Sequence, residues 1–453
     1  MDKTAPPAPA ALLEHLHNLL GADGLHPQPT ADQLIEPRGL FSGKPIAVAY
    51  PDTSEQVVAI VRACAAAGVS IVPQGGNTGL TGASMPITEK HSLLVNLRRL
   101  NQIRTIDAAD NSLVAEAGVI VADLQQHAAN ANRLFPLSFA ADGSAMIGGA
   151  VSTNAGGTNV LRYGNTRELV RGLEVVLPNG DLLDNLRGLR KDNTGYDLNH
   201  LFIGAEGTLG IITAARLKLF PQPGKRVTAW LGVATIAAAI ELLERLQQRS
   251  NHAVSGCELL SATSVEFVRR HLPQARPPLQ GDKEPAWQLL IELTDPDPQR
   301  PLDTLLENTL ADALQQQLIS DAVIAQNLQQ GEQFWRIREA ISDVQKQEGG
   351  SIKHDISLPI GQLAEFVQTP LPLLHQRLPG VRPCIFGHLG DGNLHFNLSQ
   401  PVDMDQQAFL DLWVDFNRLV HDQVARYGGS FSAEHGIGQL KREELARYQS
   451  PVA

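Results

Sequence analysis

Two histidines in the segment CIFGHLGDGNLHFNLS, His388 and His395, sit on either side of an Asp-Gly dipeptide at 391–392. Asp-Gly favours a two-residue type I′ hairpin turn. That turn sets His388 opposite His395, Leu389 opposite Leu394 and Phe386 opposite Asn397. Directly opposed residues have Cβ atoms ~5 Å apart, so both imidazoles can reach one metal ion. The alternative is a half-exposed pair of histidines on an ordinary hairpin. Cys384 shares the face but lies four residues back, too far to be a third ligand. A third candidate is in SAEHGIGQLKREEL, where Glu434 and His435 are adjacent. In extended backbone such neighbours point to opposite sides, so one can bind metal while the other meets a substrate. Upstream, QFWRIREAISDVQK reads as a helix with Arg338 and Ser342 on one face. SIKHDISLP reads as a strand with Lys353, Asp355 and Ser357 alternating to one side. Two cations on separate elements suit a carboxylate; the competing reading is a solvated helix face and an edge lysine.

The N-terminal half carries two glycine-dense segments. GGNTGLTGA, from Gly75 to Ala83, follows an apolar strand, and IGGAVSTNAGGTNVLRYGN runs from Ile147 to Asn165. Glycines after a strand let backbone N–H groups converge on an anion without Cβ atoms in the way, which suits a pyrophosphate. The first segment lacks the Gly-Lys-Ser/Thr ending of a nucleoside-triphosphate loop and the G-x-G-x-x-G spacing of a dinucleotide fingerprint. A glycine-rich turn that binds nothing is the alternative for that loop taken alone.

Together with GYDLNHLFIGAEGTLGIIT, from Gly195 to Thr213, these segments resemble the FAD-binding domain of the vanillyl-alcohol oxidase superfamily over roughly residues 37 to 221. The resemblance implies non-covalent FAD, since neither glycine segment holds a His or Cys for attachment. It implies a phosphate cradle of Pro73, Gly75, Gly76, Asn77, Thr78, Gly79 and Gly82. Gly149, Thr153, Asn154, Gly156 and Gly157 would line the ribityl and ring region, and Glu206, Gly207 and Ile212 would complete the site. GHLGDGNLH and EHGIG resemble, within that superfamily, the D-2-hydroxyglutarate dehydrogenase, D-lactate dehydrogenase and glycolate oxidase subunit group. That resemblance implies His388, His395 and Glu434 as ligands of a divalent metal, zinc by expectation, and His435 as catalytic base and substrate contact. It implies Arg338, Ser342, Lys353 and Asn397 as substrate-binding residues. It also implies a further helix and an NPGK-like segment near the flavin, which do not follow SPVA in this sequence.

The expected reaction is oxidation of a D-2-hydroxy acid to the 2-oxo acid, with D-2-hydroxyglutarate favoured because a second carboxylate gives Arg338 and Lys353 a partner. D-lactate or glycolate oxidation on the same fold, and a non-catalytic flavin subunit of a larger complex, are the competing readings. With no nicotinamide fingerprint, the electrons are expected to pass to a separate acceptor, an electron-transfer flavoprotein or a quinone.

These residues need elements to hold them. The sequence from Ala47 reads strand, helix, strand, with Ser54 as helix cap, and then continues into short strands rather than a doubly wound sheet. This predicts an α+β fold with four segments: an N-terminal helical lead over 1–36, a two-subdomain FAD-binding domain over 37–221, a substrate domain over 222–400 with an antiparallel sheet carrying the hairpin, and a C-terminal helical segment over 401–453. At 453 residues the chain exceeds a single ordinary core. The 48 acidic against 37 basic residues, net charge -11, argue against nucleic acid and anionic membrane as partners. No window reaches the ~18 apolar residues of a spanning helix, and the N-terminus lacks a secretory pattern. Cys64, Cys257 and Cys384 are odd in number and widely spaced, so no disulfide framework or zinc ribbon is expected and a reducing cytoplasm fits. A homodimer is compatible with this reading.

Overall fold

The computed structural model describes residues 9–87, 91–279 and 284–452, and the chain divides into two compact units. Of the expected N-terminal lead, residues 1–8 lie outside the described residues. The first unit comprises residues 1–157, 164–222 and 434–453; the second comprises 158–163 and 223–433. The C-terminal stretch therefore divides, with 401–433 in the second unit and 434–453 in the first.

In the first unit the strand–helix–strand reading appears as Ala47–Ala49, Ser54–Ala67 and Ser70–Gln74. The two strands lie parallel to Ser92–Asn96, which runs between them, and Leu25–His26 closes the sheet antiparallel. The helix cap is one residue earlier than the sequence suggests. Thr53 accepts from Gln56 N–H, while Ser54 is buried and donates to Glu174 at 2.6 Å. Threonine caps as serine does, and burial decides between the two adjacent hydroxyls. Gly68, at φ 66°, ends the helix in the left-handed region that glycine enters without steric penalty.

A five-stranded antiparallel sheet completes this unit, in the order Ile103–Asp107, Ser112–Glu116, Ile211–Lys218, Val170–Val176, Leu182–Asp184. Glu174, on the fourth of these strands, is buried and accepts from Ser54, Thr213 and Arg104. Burial would raise its pKa, but these donors and the Arg104 charge hold it below the ordinary glutamate range. A single carboxylate thus ties the helix of the parallel sheet to the antiparallel one.

The second unit is built on one eight-stranded sheet. Its strands run in the order Ile319–Ile324, Lys225–Val233, Trp287–Asp295, Val254–Ser261, Arg382–His388, Asn393–Ser399 and Ser351–Ile352, with Asp355–Ser357 also paired to Asn393–Ser399. Alternation along these strands separates two apolar faces. Leu259, Ile385, Leu394, Phe396 and Leu398 join the larger core, with residues of the helices Ile236–Ser250, Leu302–Gln315 and Trp413–Arg426. Trp230, Leu260, Leu290, Cys384 and Phe386 face the other way, packed with Phe334, Ile337 and Ile341 of the helix Leu328–Val344 and with Val265, Phe267 and Val268 of Ala262–His271. This second face carries the polar site described below.

All three cysteines are free and buried. Burial pushes the Cys64 and Cys384 thiols up to about 12, as inert core thiols require. Among the described residues, no helix is long and apolar enough to cross a membrane.

Candidate active site

The hairpin carrying the two histidines is in place, but its register differs from the sequence expectation. Its strands end at His388 and begin at Asn393, so the loop is the four residues 389–392. His388 lies opposite Asn393, Phe386 opposite His395, and Cys384 opposite Asn397. The two-residue turn fails because Asp391 accepts from Asn393 N–H, an Asx turn that uses the amide a tight type I′ pairing would need, and Leu389 N–H is drawn to Cys257 O on the neighbouring strand. The slip is an even number of residues, so both histidines stay on one face. They become diagonal neighbours, with ring centroids 5.8 Å apart.

His388 is buried, and its Nδ1 lies 2.6 Å from Oε1 of Glu258, the residue directly opposite it on Val254–Ser261. The other carboxylate oxygen of Glu258 accepts from Arg338 Nε, also at 2.6 Å. Glu258 is 1% exposed at its side chain. Burial alone would raise its pKa; the charges of Arg338 and His388 and the two hydrogen bonds bring it down to about 2. Arg338 is buried with its guanidinium 5.3 Å from the centroid of the Phe386 ring. Its NH2 nitrogen is buried with no hydrogen-bond acceptor among the described residues. Sequence reasoning missed Glu258. The signal was a lone carboxylate in the apolar strand VSGCELLS, where an ionised group persists only if paired.

His395 is half-buried and packs at a tilt against Phe386, ring centroids 4.9 Å apart. On its other side it faces Asp355 in register, and Asp355 accepts from Asn393 Nδ2. The expected single strand through SIKHDISLP is two short strands, Ser351–Ile352 and Asp355–Ser357, in one continuous register. They part at Lys353 and His354 because His354 N–H is taken by the side-chain Oδ1 of Asn397 instead of a backbone carbonyl. Asn397 is buried, and its Nδ2 donates to Gln345. Its amide therefore fixes the strand break from which Lys353 projects. Lys353 is half-buried, close enough for its charge to act on Cys384, and Ser342 is half-buried one turn beyond Arg338.

Glu434 and His435 belong to the first unit. Glu434 directly follows Ala433, whose N–H donates to the carbonyl of Asp355. The extended backbone expected here is instead a run of bends over 433–435.

Within the first unit, the loop after His435 is clamped by Glu206, whose two oxygens accept from Ile437 N–H at 2.7 Å and Gly438 N–H at 2.8 Å. Gly436, at φ 74°, has no room for a side chain, because a Cβ there would lie 2.0 Å from the Glu206 carboxylate. Thr81 Oγ1 donates to the His435 carbonyl, and Gln439 donates to Gly82 O and Met85 O. Besides its expected place at the flavin, Glu206 thus holds the loop that follows His435. Replacing it with Ala leaves two amides without acceptors, at about 1–3 kcal/mol each. With the His435 loop left to Thr81 and Gln439 alone, His435 is held less exactly, and if it is the base, kcat of Glu206→Ala is expected to fall on the order of 10²-fold. Flavin absorbance of the purified variant should remain, and a full loss of flavin would instead mark Glu206 as a cofactor contact.

The glycine segments meet the requirements of a pyrophosphate. Among the described residues, the backbone N–H groups of Gly75, Gly76, Asn77, Thr78 and Gly79 have no acceptor, a consecutive run suited to an anion. Asn77 adopts φ 54°, and its side chain ties the loop to Asp32 O, Ile35 O and Ser84. A Cβ at Gly76 would lie 2.0 Å from Ser144 O, whereas at Gly79 and Gly149 it would meet nothing within 4 Å. Gly207, at φ 76°, packs on Pro73. Thr153 caps its own helix through Gly149 O, Asn154 accepts from Arg167 N–H, Gly157 abuts Ser138 O, and Ile212 is buried in the sheet. Gly156 lies in the loop after that helix.

Family comparison agrees with this geometry. Residues 45–185 match the FAD binding domain, and residues 222–453, more than half the chain, match the C-terminal domain of FAD linked oxidases. The chain is a member of the FAD-linked oxidase family. D-2-hydroxyglutarate dehydrogenase of Arabidopsis thaliana mitochondria is 37% identical over 91% of this chain and 71% of its own length. The D-2-hydroxyglutarate dehydrogenase of Stutzerimonas stutzeri is 35% identical over 91% of this chain and 87% of its own. p-Cresol methylhydroxylase superposes with a TM-score of 0.74 at 20% identity, covering 98% of this chain and 92% of that one. This last likeness shows the fold alone.

Proposed function

We propose that this FAD-linked oxidase oxidises D-2-hydroxyglutarate to 2-oxoglutarate, with a divalent metal, zinc, held by His388, His395 and Glu434. One observation carries the choice of a dicarboxylate: Arg338 is buried with Nε fixed by Glu258 and NH2 left without an acceptor, beside a metal-competent histidine pair. A buried guanidinium edge without an acceptor is costly unless an anion meets it. Lys353 and Ser342 would complete that carboxylate site, with Asn397 holding the strand from which Lys353 projects. The two D-2-hydroxyglutarate dehydrogenases named above, each aligned over 91% of this chain, support the same substrate.

The donor set suits zinc: two imidazoles and a carboxylate, one imidazole already oriented through its second nitrogen. Such an ion would act as a Lewis acid on a 2-hydroxyl, and FAD would accept the hydride from C2. His435, next in sequence to Glu434 and held by the Glu206 clamp, would take the hydroxyl proton on a ring nitrogen. Arg338, Lys353 and Ser342 would orient the distal carboxylate so that C2 is presented in one stereochemical sense. Electrons would leave to an electron-transfer flavoprotein or a quinone, since no nicotinamide fingerprint is present.

The test is anaerobic addition of D-2-hydroxyglutarate, L-2-hydroxyglutarate, D-lactate and glycolate to the purified holoprotein, with the flavin spectrum followed. Bleaching is expected rapidly with D-2-hydroxyglutarate, slower with D-lactate and glycolate by at least the ~10-fold that one charge-assisted hydrogen bond supplies, and slower with L-2-hydroxyglutarate because its C2 hydrogen faces away when both carboxylates are held. Rapid bleaching by D-lactate with none by D-2-hydroxyglutarate would overturn the substrate assignment.

A further inference from the structure

Glu258 has no part in the reaction scheme above, and no sequence motif marks it. It is nonetheless the most completely buried charged group on this face of the sheet, and it touches two residues with separate tasks. We infer that Glu258 is a positioning residue that sets both the metal-binding nitrogen of His388 and the carboxylate-binding edge of Arg338. This inference rests on the proposed metal and substrate sites.

The geometry gives each oxygen of Glu258 one job. Oε1 lies 2.6 Å from His388 Nδ1, and an ionised carboxylate can only accept, so the ring proton must sit on Nδ1. In the neutral ring, the form that binds a metal, that leaves Nε2 with its lone pair outward, the tautomer a metal requires. Oε2 accepts from Arg338 Nε, which fixes the guanidinium plane and leaves NH2 available to a ligand. Register makes the arrangement rigid, because Glu258 and His388 are directly paired residues of adjacent strands. The packing of Arg338 over Phe386 holds the third member. The carboxylate therefore couples a metal ligand to an anion clamp without contacting either bound group.

Glu258→Gln separates the two roles while preserving shape. A glutamine offers one oxygen and one NH2 where the carboxylate offers two acceptors. If its oxygen stays with Arg338, the amide NH2 faces His388 and drives the ring proton to Nε2, which cannot then ligate. If its oxygen turns to His388, Arg338 loses its acceptor and the guanidinium its orientation. One of two readouts must move. Either Zn²⁺ affinity of the full-length holoprotein, measured by competition with a chromophoric chelator, falls about 10–100-fold, or KM for D-2-hydroxyglutarate rises by at least about 10-fold while KM for D-lactate holds. Unchanged values of both, in a variant with wild-type flavin content, would overturn the inference. Failure of the wild-type protein to bind Zn²⁺, or equal Zn²⁺ binding by His395→Ala, would instead sink the metal site itself.

Should Glu258→Gln not fold, a long-range ¹⁵N–¹H spectrum of the histidine rings in the wild-type protein decides the point. The ring whose signals vanish in His388→Gln is expected to carry its proton on Nδ1. A proton on Nε2 would overturn the assignment.

Discussion

His395→Ala is expected to abolish Zn²⁺ binding and lower turnover of D-2-hydroxyglutarate by about 10²–10⁴-fold. The magnitude follows from the several kcal/mol that a Lewis acid contributes to transition-state charge stabilisation, at a factor of ten per 1.36 kcal/mol. His395 is the better probe of the pair. It is half-buried and packs at a tilt against Phe386, so truncation opens a small space next to an existing apolar surface. His388 is bonded to the buried Glu258, and its removal would leave that carboxylate with Arg338 alone, which confounds stability with function. The glycine cradle belongs to the other unit, so His395→Ala should purify with wild-type flavin absorbance. Metal content by elemental analysis and turnover with a dye acceptor are the two measurements. Undiminished turnover in a variant without Zn²⁺ would rule the metal out of the reaction.

The hairpin shows how far sequence reasoning reaches at such a site. That His388 and His395 share a face was legible, because side-chain period is two and any even slip preserves it. Which residues oppose one another was not, because the loop conformation depends on the Asp391 turn and on the pull of Leu389 N–H toward Cys257 O, a contact 132 residues away in sequence. That the first glycine segment is a tight loop with open backbone N–H groups was legible from composition after a strand. The engagement of Glu206 with Ile437 and Gly438 was not, since it joins residues more than two hundred positions apart. The same holds for Asn397. Its position two residues after His395 suggested a ligand contact; what the sequence did not show is that its amide also meets His354 N–H and Gln345 and so shapes the strand that presents Lys353, while a second lone pair on Oδ1 and a second N–H on Nδ2 remain. Local patterns identify which residue types face one way. Long-range partners decide whether such a residue binds a ligand or holds another residue in place.

Arg338→Lys should separate substrate choice from the rest of the chemistry. Lysine keeps the positive charge beside Glu258, so the buried carboxylate is not left alone, a condition that costs about 3–5 kcal/mol when one partner of a buried pair is removed outright. Yet an ammonium is a point donor and cannot present Nε to Glu258 and a second, fixed N–H edge to a ligand as the guanidinium does. The lost charge-assisted contact, about 1.5–3 kcal/mol, predicts a fall of roughly 10–150-fold in kcat/KM for D-2-hydroxyglutarate. D-Lactate has no distal carboxylate and should be affected far less, so the ratio of the two kcat/KM values should collapse toward unity. Arg338→Met provides the contrast. It should lose the same selectivity and, in addition, lower Tm, because Glu258 then faces His388 without its principal counter-charge. A selectivity ratio for Arg338→Lys equal to that of the wild-type protein would show that the buried guanidinium serves the sheet and Glu258 alone, and the second carboxylate would have to be bound by Lys353 and Ser342 without it.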